Sequence, residues 1–152
     1  MGLVQLTGYS LLVVLAGFFQ QWPLLAVNGI RANFVMVLLI ALAFIPDKFY
    51  EYLWFVVLGL FILKFQSGFD GALLGVGLIT IAAFWLGREM PWHWIVNNTA
   101  LVVAGTLVVY ILAKPSFILS NWLVVLGEII YNVIIGTLLF FALASDERRS
   151  KF

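Results

Sequence analysis

The chain has 152 residues, 64% of them hydrophobic and 10% charged, with a formal net charge of +1 and a mean hydropathy of +1.14. A water-soluble domain carries about 25% charged residues, so this composition specifies an integral membrane protein with almost no room for a soluble domain. There is no basic stripe to neutralise phosphates, which sets nucleic acid aside, and with no cysteine the chain can make neither disulfides, thiolate metal sites nor a cysteine nucleophile.

The opening "MGLVQLTGYSLLVVLAGFF" lacks the basic n-region of a secretory signal and leads into further apolar segments, so it reads as a retained first span. Charged and Pro/Gly-containing interruptions divide the chain into six apolar segments, from Tyr9 to Val27, Asn33 to Ile45, Phe49 to Phe65, Gly71 to Leu86, Ile95 to Ala113 and Asn121 to Leu143. A helix needs about 20 residues to cross about 30 Å of hydrocarbon, so the second segment is short and must be helped by its flanks, by bilayer thinning or by burial against its neighbours. The connections are short and no linker separates them. The expected fold is therefore all-α: one compact bundle of about six transmembrane helices over residues 1–152, ending in a short basic tail at 145–152.

Six spans put both termini on one side. That side holds Lys48, Arg88, Arg148, Arg149 and Lys151, against Arg31, Lys64 and Lys114 on the other, and the positive-inside rule makes it cytoplasmic. Trp22, Trp92, Trp94 and Trp122 fall near span ends, where indole rings prefer the interface.

The last segment, "WLVVLGEIIYNVIIGTLLFFAL", carries Glu128, Tyr131 and Asn132. Helical periodicity puts these three on one face, which must point at protein or water, because a charged carboxylate inside a span costs about 2.5–3.5 kcal/mol on insertion scales. Lys64 ends the third segment on the same membrane side and is a candidate to complete this face. It can instead snorkel to the interface or pair with Asp70. Glu128 itself has two readings, a group that hydrogen-bonds the bundle together and a contact for a ligand or partner. Gly71, Gly75 and Ala82 form a small-residue face on the fourth segment, suited to close helix packing. His93 is the lone histidine, and GxSxG, HExxH and phosphate-cradling motifs are absent, so the chain reads as non-enzymatic, without metal or cofactor.

The order of these features resembles the bacterial rod shape-determining membrane protein family MreD. The stretch "QQWPLLAVNGIRANFVMVLLIALAF" is similar to the family's aromatic and proline-containing passage before its second apolar run. "GLFILKFQSGFDGALLG" supplies Gly59, Gly71 and Gly75 at matching spacing, and "GEIIYNVIIGTLLFF" holds Asn132 before a basic tail. Three positions depart: Leu63 stands where a second glycine is common, Ser67 where an acid is common, with Asp70 three residues later, and Ala32 where a proline is often found.

The resemblance implies a non-catalytic inner-membrane component of the cell-wall elongation machinery. Its partners would be an MreC-like single-span protein, the MreB filament, the glycosyltransferase RodA and a penicillin-binding transpeptidase. The implied fold is a six-helix bundle similar to the substrate-binding subunits of energy-coupling-factor transporters. Two other readings stand beside it. One is a small solute-binding or transport subunit of the vitamin-uptake type, with Glu128, Tyr131, Asn132 and Lys64 lining a pocket. The other is a structural subunit of a different membrane complex.

Overall fold

The computed structural model describes residues 1–26, 30–67 and 70–150, with the backbone alone at 66–67 and 144–150. Among the described residues the fold is all-helical: α1 (Leu3–Gln21), a 3-10 turn (Pro23–Leu25), α2 (Phe34–Leu42), α3 (Phe49–Ser67), α4 (Gly71–Glu89), α5 (Trp94–Ala113), α6 (Pro115–Ser120) and α7 (Trp122–Ser150). Four helices, α1, α4, α5 and the Trp122–Leu143 part of α7, are long and apolar enough to cross a membrane. The first helix lies earlier than the apolar segment suggests because Pro23 disfavours helical backbone at Trp22, which is extended (φ −72°, ψ 115°). At the other end, α7 carries the expected tail region as continuous helix to Ser150. Lys151 and Phe152, and the side chains of Arg148 and Arg149, lie outside the described residues.

The long helices alternate in direction around α2. Trp54 Nε1 donates to Ser10 Oγ (3.0 Å) and sets α1 beside α3 with their starts at one end. Phe49 packs edge-on to Phe84 (5.2 Å), which joins the start of α3 to the end of α4. Trp94 meets Phe140 (4.8 Å), pairing the start of α5 with the far part of α7. Lys48 and Arg88 therefore lie at the end of the bundle where α1 begins, while Lys64 and Lys114 lie at the opposite end.

Nine residues of α2 rise only about 14 Å, too little to cross a bilayer alone. Burial against neighbours resolves the short second segment. Val35 to Leu42 are all 0–2% exposed, and α2 touches α1, α3, α4, α5 and α7. Glycines on the surrounding helices make the room: a Cβ at Gly59 would come within 2.9 Å of Leu39, at Gly105 within 3.2 Å of Ile40, and at Gly136 within 3.1 Å of Val37.

The Gly71, Gly75 face packs inward on α5 rather than outward. A Cβ at Gly71 would sit 2.1 Å from the Leu112 carbonyl oxygen, and one at Gly75 would sit 2.9 Å from Val109 Cα. Ala82, on the same face by spacing, is half-buried. Inside lipid, helix association depends on such close approach, because lipid tails are as apolar as the side chains they would replace. Gly71→Leu and Gly75→Leu are each expected to abolish recovery of folded protein, read as loss of the monodisperse peak in detergent size-exclusion chromatography. Gly8→Ala, where a Cβ meets nothing within 4 Å, leaves that peak unchanged.

A polar cavity at one end of the bundle

Both ends of α2 leave backbone groups that a short buried helix cannot pair internally. At its start, the Asn33 side chain accepts from Met36 N (3.2 Å), and Gln20 of α1 accepts from Val35 N (3.2 Å). Asn132 of α7 accepts from Asn33 N at 2.8 Å and donates through Nδ2 to Thr106 Oγ1 of α5 at 3.0 Å. Asn132 is fully buried and stands midway along Trp122–Leu143. The start of α2 thus lies level with the middle of the Trp122–Leu143 stretch and with the last turn of α1. Tyr131 ties down the 3-10 turn after α1 by donating from its hydroxyl to the Leu25 carbonyl (2.8 Å).

The other end of α2 is closed by Arg88 of α4. Its guanidinium donates to the carbonyls of Ala43 (3.2 Å), Phe84 (2.6 Å) and Pro46, and lies over the Phe84 ring at 3.6 Å. Tyr52, also fully buried, donates between the carbonyls of Leu39 (3.1 Å) and Thr80 (2.7 Å). Asn97 of α5 donates to the carbonyls of Gly87 (3.3 Å) and Met90 (3.1 Å) where α4 ends.

Glu128 does something different. Four residues before Asn132 on the same α7 face, its carboxylate accepts from the Tyr110 hydroxyl of α5 and opens onto a cavity of about 830 Å³. Gln20 and Gln21 of α1, Arg31 and Asn33 just before α2, and Tyr110 line the same cavity. Phe65 and Phe117 form its aromatic border, with Phe117 stacked flat on Tyr110 (5.7 Å, 3°). Lys64 is not part of this constellation. It lies in a separate cleft between α3 and α4 with Leu60, Leu73 and Leu74, and Glu128 takes Tyr110 instead. Asp70, the other candidate partner of Lys64, caps α4 by accepting from Leu73 N (3.0 Å).

Of the expected face, then, Tyr131 and Asn132 are spent within the bundle and Glu128 reaches the cavity. Sequence reasoning passed over Gln20, Tyr52, Asn97, Thr106 and Tyr110, and read Arg88 only as a topological charge. Apart from Arg88, each is a polar residue in an apolar run, the same signal that singled out Glu128, and could have been found by applying it evenly. Comparison with protein-family models, curated proteins and solved structures finds no match to this chain.

Asn132→Leu leaves the Asn33 N–H and the Thr106 hydroxyl without their partner. The expected loss is about 1–3 kcal/mol of stability, measured by reversible unfolding in mixed micelles. Thr106→Val alone costs about 0.6 kcal/mol, near the average for such bonds in membrane bundles. Combining the two costs less than their sum, because both remove one hydrogen bond.

Proposed function

We propose that this protein is a non-enzymatic interaction subunit of the bacterial cell-wall elongation assembly, of the MreD type. It sits in the inner membrane with both termini cytoplasmic. On this reading α3 also crosses the bilayer, and α2 with its flanks completes a sixth passage, an arrangement similar to energy-coupling-factor substrate-binding subunits. Lys48 and Arg88 at the terminal end of the bundle, with the basic tail, support that orientation.

The observation that carries the docking role is an apolar cleft of about 330 Å³ between α1 and α7. Leu12 and Phe19 of α1 and Leu138 of α7 form its exposed walls, Ala16 narrows to a small side chain, and Phe34 and Leu38 of α2 make the floor. A groove with a helical floor and a small residue lets another helix pack closely, the main source of affinity between helices in lipid. The partner is the transmembrane helix of an MreC-like single-span protein, and MreB, RodA and the transpeptidase join through the assembly.

Leu12→Trp combined with Leu138→Trp fills this cleft from residues that are already exposed. Recovery of a co-expressed MreC-like partner should fall by roughly tenfold or more, while Leu74→Trp, in the α3–α4 cleft, leaves it unchanged. Undiminished recovery with the double variant would remove the cleft from the interface.

The 830 Å³ cavity favours a second reading, a solute-binding subunit of the vitamin-uptake type, because it gathers several polar groups in a volume within the range of about 300–1,000 Å³ common to ligand pockets. Val124→Trp, placed on the cavity wall, should abolish any small molecule retained through mild purification and seen by native mass spectrometry, without altering partner recovery. Retention by the variant would refute binding in this cavity.

A further inference from the structure

We propose that the cavity between α1, residues 30–33, α5 and α7 binds an ammonium group joined to an anion, the ammonium at Glu128 and the anion at Arg31. This rests on the solute reading of the cavity and adds the chemistry of the occupant. Two opposite charges line one space, yet among the described residues neither makes an ion pair within 4.0 Å with the other or with any third group. Arg31 is exposed and Glu128 half-buried, so each still has hydrogen-bonding capacity to offer.

Glu128 receives a hydrogen bond from Tyr110 and a further side-chain interaction from Asn132, and an ionised carboxylate has about four lone-pair sites. The remainder suit an ammonium, whose three donors need acceptors. The aromatic surface of Tyr110 and Phe117 beside it favours a cation over an anion at that wall. Arg31 presents a planar fork that matches a carboxylate or phosphate in two parallel hydrogen bonds.

Charge complementarity then selects the class. A simple anion drawn to Arg31 would share the space with Glu128, and a simple cation drawn to Glu128 would share it with Arg31. An apolar solute would strip water from both charges without replacing it. A molecule with both charges satisfies both ends at once. Phe65 and Ile30 on the same lining leave room for an apolar body between them.

A short peptide or amino acid carries this chemistry, and so does the headgroup of phosphatidylethanolamine. The test uses the full chain in two arms. In lipid-free detergent micelles, calorimetry measures binding of alanyl-phenylalanine, its N-acetyl form, its C-terminal amide and the doubly blocked form. In nanodiscs, native mass spectrometry compares retention of phosphatidylethanolamine with that of phosphatidylglycerol.

The expected result is binding of the dipeptide, or selective retention of phosphatidylethanolamine, the positive arm identifying the source. Acetylation and Glu128→Gln should each weaken dipeptide binding by roughly tenfold or more, as should amidation and Arg31→Gln. In the lipid arm the two variants should erase the preference for phosphatidylethanolamine. Equal affinity for the free and doubly blocked peptides overturns the zwitterion and leaves a solute site standing. Absence of any peptide binding together with equal retention of the two lipids overturns both.

Discussion

The organisation of this bundle follows from one constraint: a nine-residue helix is enclosed on every side, and its ends need partners that its own backbone cannot supply. A helix that reaches both interfaces can pass its terminal N–H and C=O groups to water. One enclosed by other helices cannot, and an unpaired backbone group in a nonpolar interior costs about 1–3 kcal/mol. The chain meets this by sending polar side chains from four different helices to α2 and its flanks. Gln20 and Asn132 serve the start; at the end, where the carbonyls of Leu39 to Leu42 accept from the N–H groups of Ala43, Phe44 and Ile45, Tyr52 adds a bond to Leu39 and Arg88 takes the Ala43 carbonyl.

That arrangement explains why so many polar residues interrupt apolar segments in a chain with 10% charge. Asn132 does double duty, holding the entry to α2 and tying α7 to α5 through Thr106. Arg88 spreads its fork over carbonyls from α4 and from the turn after α2, which a lysine's single ammonium could not copy in one geometry. Gly59, Gly105 and Gly136 complete the enclosure by letting α3, α5 and α7 close on α2. Against this background Glu128 and Arg31 stand apart, since neither is needed to close the short helix.

The apolar segments, the all-helical class and the shared face of Glu128 and Asn132 on α7 were readable from composition and periodicity. The partner of Glu128 was not. Alternation of spans fixes which end of the bundle a residue occupies, so it correctly put Lys64 at the end shared with the start of α7. It says nothing about position around the bundle axis, and Lys64 lies toward α4 while Glu128 faces α5. The direction of the Gly71, Gly75 face was undetermined for the same reason. Small residues mark a close contact, and only tertiary packing shows that the contact is Leu112 and Val109 of the same chain. The enclosure of α2 was also hidden, because an apolar segment has the same composition whether it faces lipid or other helices.

The cleft and the cavity are two parts of one seam. Val124 and Glu128 border the cavity and Ile135, Leu138 and Leu139 border the cleft, and helical periodicity places all five on one side of α7. On α1 the cleft ends at Phe19 and the cavity begins at Gln20. Between them Phe34, the first residue of α2, packs against both Phe19 (6.4 Å) and Tyr131 (6.5 Å). The seam exists because α2 lies between α1 and α7, which make little direct contact of their own. The cleft and the cavity are therefore two openings of one gap, and the short helix that creates one creates the other.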